Sequence, residues 1–142
     1  MLVQFSVKNY KSFKEKVTFS MVAAKLRGEN DHPENVISIN ERNLQLLKSA
    51  AIYGANASGK SNLIQAFGFI RWFILNSATG IQREDSIAVV PFRLDSEFSK
   101  QPSEFEIVFI SNKERYVYGF SCDAERIHEE WLTAARKTRS RL

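Results

Sequence analysis

The octapeptide Gly54-Ala55-Asn56-Ala57-Ser58-Gly59-Lys60-Ser61 fits the pattern G-x-x-x-x-G-K-[ST] at all four fixed positions, and Asn62-Leu63-Ile64 opens an apolar run directly behind it. Two glycines let the backbone curl until successive N–H groups face one anionic point. Lys60 places an ammonium for the β- and γ-phosphates, Ser61 offers a hydroxyl to Mg2+, and a following helix adds the positive end of its dipole. These positions predict a nucleoside triphosphate site at a strand-to-helix junction. The plain alternative, a glycine turn in front of any helix, has to be judged from the flanking residues.

The flanks agree with the sharper reading. Ser49-Ala50-Ala51-Ile52-Tyr53 is a short, mostly apolar run of strand length, as expected of a buried strand entering the loop. Behind the loop, Leu63, Ile64, Phe67, Ile70 and Ile74 recur at helical spacing with Gln65, Arg71 and Asn76 between them, which predicts a helix over about 59–76. Phe69, Trp72, Phe73 and Leu75 lie on other faces, so the helix is expected to be covered on more than one side. Gly68 within it weakens the helical pattern.

Composition bounds the rest. The 142 residues suffice for one core, and 44% apolar with 12% aromatic content excludes a disordered chain. No run approaches the roughly 18 apolar residues of a membrane span, and Met1-Leu2-Val3-Gln4 has no signal-peptide order, so no membrane association and a cytoplasmic location are expected. The lone Cys122 cannot form an internal disulfide and reads as a small buried hydrophobe; His32 and His128 have no metal-ligand spacing. The net charge of +4 resides in Arg136, Lys137, Arg139 and Arg141, and without them residues 1–132 carry 16 basic and 16 acidic side chains. A terminal basic run is not a basic face, so nucleic-acid binding is not indicated by the charge pattern.

Along the chain, Leu2 to Tyr10 and Lys16 to Val22 alternate apolar and polar residues around a polar turn at 11–15, predicting an opening hairpin over 2–22. Ala24 to Leu44 reads as a long loop with at most one short element at Val36-Ile37-Ser38-Ile39, and it could lie over a nucleotide base. Ser77 to Ser86 reads as a loop broken at Gly80. Phe105–Ile110, Arg115–Cys122 and Glu125–Leu132, joined by short polar links, predict an antiparallel meander over 104–132, with Tyr116, Tyr118 and Phe120 as core and not as a base-stacking platform. One strong helix among β-rich runs argues for an α/β or α+β domain with a mixed sheet.

The motif occurs in several nucleotide machines. A small GTPase needs Asn-Lys-x-Asp for guanine, and the near match Asn112-Lys113-Glu114-Arg115 has Arg in place of the carboxylate. A small-molecule kinase usually begins at its phosphate loop, whereas about fifty residues precede this one. Val7-Lys8-Asn9-Tyr10-Lys11-Ser12-Phe13, followed by the loop from Gly54 to Asn62, resembles instead the N-terminal lobe of an ABC-type ATPase head. Such heads are shared by chromosome-maintenance (SMC) proteins and recombination-repair coiled-coil ATPases. The sequence is most similar to bacterial AAA-domain ATPases that resemble the overcoming-lysogenization-defect nucleases, often found in anti-phage or abortive-infection systems. The resemblance implies a P-loop NTPase fold in a single unit over 1–142, with ATP and Mg2+ as cofactors. It also implies that Gly54 to Asn62 contact nucleotide, with Ser61 on Mg2+, that Lys11 approaches the phosphates, and that Asn56 shapes the loop and faces the γ-phosphate. Ala57 stands where transporter and SMC loops commonly have glycine, a departure that the defence-type subgroup shares.

Two elements of a complete head are missing from this sequence. Hydrolysis in such heads needs an apolar strand ending in Asp-Glu to hold Mg2+ and polarise water, and Phe105–Ile110 ends instead in Ser111-Asn112. No two glycines are adjacent, so no Ser-Gly-Gly signature exists, and Gln82 and Gln101 are weak candidates for the lobe-linking glutamine. The expectation is an ATP- and Mg2+-binding lobe, a piece of a longer protein or half of a split one. It would bind without hydrolysing until a C-terminal lobe or second head, in a homo-oligomer or a complex with an effector protein, completes it. The alternative is a nucleotide-regulated assembly or interaction subunit without turnover, and a third reading is a nucleic-acid binder working through its basic tail.

Overall fold

The computed structural model describes residues 1–24, 33–39, 44–76 and 86–135. The opening alternation folds as predicted: β1 (Leu2–Lys8) pairs antiparallel with β2 (Val17–Ser20), Phe5 opposite Phe19 and Val7 opposite Val17. The meander is present as β5 (Ser103–Ser111), β6 (Glu114–Cys122) and β7 (Ile127–Ala135), and β5 also pairs with β1, giving one sheet in the order β2-β1-β5-β6-β7. Asn112 and Lys113 both have positive φ, 50° and 68°, the geometry of a two-residue turn whose twist suits a hairpin.

Alternation sorts the side chains onto two faces. Phe5, Val7, Phe105, Phe120 and Cys122 line one face and meet Leu63, Ala66, Phe69, Ile70 and Phe73 from α1 (Lys60–Asn76) in a single cluster. Aromatic rings dominate the seam, with Phe5 and Phe67 at 4.1 Å between centroids and Phe69 and Phe105 at 4.8 Å. Each buried phenylalanine contributes roughly 1.5–3 kcal/mol from area alone. Phe120 is fully buried, Tyr118 packs against the same cluster, and Tyr116 stacks on Phe109 at 5.3 Å, so these aromatics are structural.

A register shift in β1 between Leu2 and Gln4 places Val3 with Leu46, Val108 and Ile110, the second cluster. That cluster holds a hairpin absent from the sequence expectation. Inside the stretch expected to be a long loop, β3 (Val36–Ile39) follows a 3-10 turn at Pro33–Asn35 and pairs with β4 (Leu44–Leu47), which begins where that stretch ends. A bridge from Val22 to Leu46 joins the hairpin to the end of β2. Ile39, Leu44 and Leu46 pack in this second cluster, apart from the one that holds α1, and positions 25–32 and 40–43 of the stretch expected over a nucleotide base lie outside the described residues.

Two further expectations are corrected. Every pairing among the described residues is antiparallel, so the sheet is not mixed. Ser49 to Tyr53 is not a buried strand: the run is exposed and outside every strand, with Tyr53 90% accessible. Ser49 is fastened to Asn35, whose Nδ2 donates to the Ser49 carbonyl at 3.0 Å and whose Oδ1 accepts the Ser49 N–H at 3.0 Å. Residues 50–53 beyond it have no β-neighbour among the described residues, and a lone strand cannot satisfy its backbone. Gly80, the rest of the loop 77–85, Gln82, His32 and the basic tail 136–142 lie outside the described residues.

Candidate nucleotide site

The helix begins where the sequence places it. The first bond into α1 runs from the Leu63 N–H to the Gly59 carbonyl at 3.0 Å, leaving the N–H groups of the opening turn without helical acceptors, as at any helix N-terminus. In front of them the loop turns twice through the left-handed region, at Ala57 (φ 63°) and Gly59 (φ 91°). Gly59 suits this conformation without strain, and Ala57 adopts it at a cost on the order of 1 kcal/mol, which is why glycine is the easier residue there. Asn56, Ser58 and Ser61 are exposed.

Lys60 folds back over its own loop. Its Nζ donates to the carbonyls of Gly54 at 2.7 Å and Ala55 at 2.6 Å and lies 3.4 Å from Ser58 Oγ. The ammonium thus sits among the residues that would surround a phosphate, held by neutral carbonyls that an anion can outcompete. Orphan N–H groups, left-handed turns, a mobile-stemmed ammonium and an exposed Ser61 hydroxyl fit a triphosphate with its divalent cation. Ser61 would hold that cation, which would offset the phosphate charge.

The β1–β2 turn docks against this helix start. Asn62 Nδ2 donates to Ser12 Oγ at 2.8 Å, and Lys11 Nζ donates to Gln65 Oε1. A Cβ at Gly59 would lie 3.1 Å from Ser12 Oγ and 3.4 Å from the Phe13 ring, so the turn leaves little room beside the loop. The structure therefore brings the Lys11–Ser12 turn to the start of α1, with Ser12 beside Gly59 and bonded to Asn62, and Lys11 held at Gln65 in the second turn of the helix. It also adds Ser12 and Gln65, which sequence reasoning missed: a serine in a polar turn and a glutamine on a helix are ordinary residues until the two segments meet. Gln101 lies in the loop before β5, where its carbonyl accepts from Asn9.

A family described as "AAA domain, putative AbiEii toxin, Type IV TA system" matches residues 49–142. The chain belongs to this family. The match takes in the phosphate loop, α1 and the β5–β7 meander of this AAA domain, while β1 to β4 and the Lys11 turn lie before it. Membership makes it a P-loop ATPase-like, nucleotide-binding domain, of a type that generally binds ATP with Mg2+. No curated protein and no solved structure matches the chain. Among the described residues of the AAA domain, no helix is long and apolar enough to cross a membrane.

Proposed function

We propose that the chain is the ATP- and Mg2+-binding lobe of an ABC-type ATPase head, acting in the cytoplasm in an anti-phage or abortive-infection system. Residues Gly54 to Asn62 hold the triphosphate, Ser61 ligates Mg2+, and Lys11 approaches the phosphates from the β1–β2 turn. The observation that carries this reading is the loop at the start of α1, with Lys60 already inside it and the Lys11–Ser12 turn docked beside it. The family's description, a putative AbiEii toxin of a type IV TA system, supports the defence role.

Turnover requires a second polypeptide segment, a C-terminal lobe or partner, that brings the acidic strand this sequence lacks. Ala50 to Tyr53 supports that requirement: an exposed run of strand length, paired with no strand among the described residues, stands at the mouth of the phosphate loop. Ile64, Trp72, Ile74 and Leu75 on α1 are also exposed, as expected of a helix that a further layer covers.

ATP titration of the wild type and Lys60→Ala tests the binding claim. A lost charge-assisted phosphate contact predicts affinity lower by about 1.5–3 kcal/mol, and equal affinities would refute it. Phosphate release by this chain alone, above a Lys60→Ala background, would refute the need for a second segment and also exclude a subunit without turnover.

A further inference from the structure

The turn that reaches the phosphate loop hangs from one buried side chain. Asn9 directly follows β1 with no exposed surface, and every polar group it has is used. Its Nδ2 donates to the carbonyls of Phe98 and Gln101, both at 2.8 Å, with the Pro102 carbonyl at 3.3 Å, and its Oδ1 accepts the Phe92 N–H at 3.1 Å. Its own N–H donates to the Lys14 carbonyl at 3.1 Å, and its carbonyl accepts the Ser103 hydroxyl at 2.5 Å. An amide is required here, because the site presents carbonyls to one end of the side chain and an N–H to the other.

These bonds fasten both ends of the turn to the segment before β5. The Lys11 N–H donates to the Val90 carbonyl at 2.8 Å, and Lys14 Nζ pairs with Asp95 Oδ2 at 2.8 Å above the Phe98 ring. Asn9 and Lys11 are both left-handed, at φ 51° and 50°, and Tyr10 and Phe13 bond each other's backbone, so the turn is short and closed. Its tip is Lys11 and Ser12, which reach Gln65, Asn62 and the edge of Gly59.

We propose that Asn9 is a positioning residue for the bound nucleotide: it fixes the Lys11–Ser12 turn at the start of α1, so that Lys11 is held within reach of the phosphates. This rests on the reading of Gly54 to Ser61 as an ATP site. Asn9 touches no phosphate and acts only through the turn. A purely structural role would lower stability and leave the contribution of Lys11 intact; positioning makes the two residues interdependent.

A double-mutant cycle separates these roles. ATP affinity is titrated for the wild type, Asn9→Asp, Lys11→Ala and the double variant, each checked for its thermal transition. Asp keeps the size and tolerates the left-handed backbone, but turns an acceptor toward the carbonyls that Asn9 satisfies. Positioning predicts that Asn9→Asp and Lys11→Ala each weaken ATP binding about tenfold and that the double variant is no weaker than Lys11→Ala. Losses that multiply, or wild-type affinity in either folded single variant, would overturn the proposal. If Asn9→Asp does not fold, Ser103→Ala, which removes the anchor on the Asn9 carbonyl, replaces it in the cycle with the same expected and refuting outcomes. Lys60→Ala measured alongside tells the failures apart. Unchanged binding there refutes the ATP site itself, whereas weakened binding with multiplying Asn9 and Lys11 losses refutes only the positioning role.

Discussion

The ring of Phe73 on α1 lies 3.8 Å from that of Phe120 on β6, the planes 20° apart, and both residues are wholly buried. This stack joins the helix that carries the phosphate loop to the middle of the meander. Truncation leaves a cavity that rigid neighbours cannot fill, so Phe120→Ala is expected to destabilise the domain by about 3–5 kcal/mol. Urea unfolding followed by circular dichroism measures it; a loss below about 1 kcal/mol would show that the seam repacks.

Gly119, the residue before Phe120, has no room for a side chain. A Cβ there would lie 2.4 Å from Trp131 Cζ2 and 2.7 Å from the Phe105 carbonyl, so both the indole on β7 and the β5 backbone stand in its way. Gly119→Ala is expected to cost about 1–3 kcal/mol, with a shift in tryptophan emission as Trp131 leaves its place. An unchanged unfolding midpoint and spectrum would contradict this.

Asp123 sets a low-pH limit on the β6–β7 turn. Burial works to raise its carboxyl, but the His128 ring at 2.7 Å and the N–H groups of Arg126 and Glu125 outweigh it and hold the pKa at about 2. The ordinary value in an unfolded chain is about 3.9, so between the two the unfolded state binds more protons. The contribution is fully present above about pH 5 and is lost as pH falls through 4 toward 2. Asp123→Asn is expected to flatten the stability profile over that interval; parallel wild-type and variant profiles would remove Asp123 as the cause.

Cys122 is buried against α1, and burial pushes its thiol up to about 12. Thiolate is the reactive species, so at pH 8 the native protein should resist iodoacetamide for hours, while the denaturant-unfolded chain reacts within minutes. Mass spectrometry reads the adduct. Prompt stoichiometric labelling of the native protein would show that the α1 seam opens readily.

Ser61 is exposed at the start of α1, free to face a cation on bound phosphate. Mg2+ is expected to tighten ATP binding to the wild type, and Ser61→Ala should forfeit about tenfold of that gain while binding metal-free ATP as before. Titrations with Mg2+ and with EDTA decide it; an undiminished gain would remove Ser61 from the cation site.

What the sequence determined by itself was whatever depends on neighbours in the chain. The phosphate loop, α1, the opening hairpin and the meander are legible because glycine spacing, helical period and strand alternation are local properties. The β3–β4 hairpin escaped because Leu44–Leu47 is a brief apolar run whose strand character comes from Val36–Ile39 and from Val3, Val108 and Ile110 across the sheet. Tertiary structure alone decided the candidate site's second wall. Asn9 reads as an ordinary turn asparagine until the segment from Phe92 to Ser103 closes over it, and Ser12 is one serine among many until Asn62, fifty positions away, bonds to it. The converse holds at Ala50 to Tyr53, where a run with strand composition lies outside every sheet, because a strand exists only when another strand completes its backbone bonds.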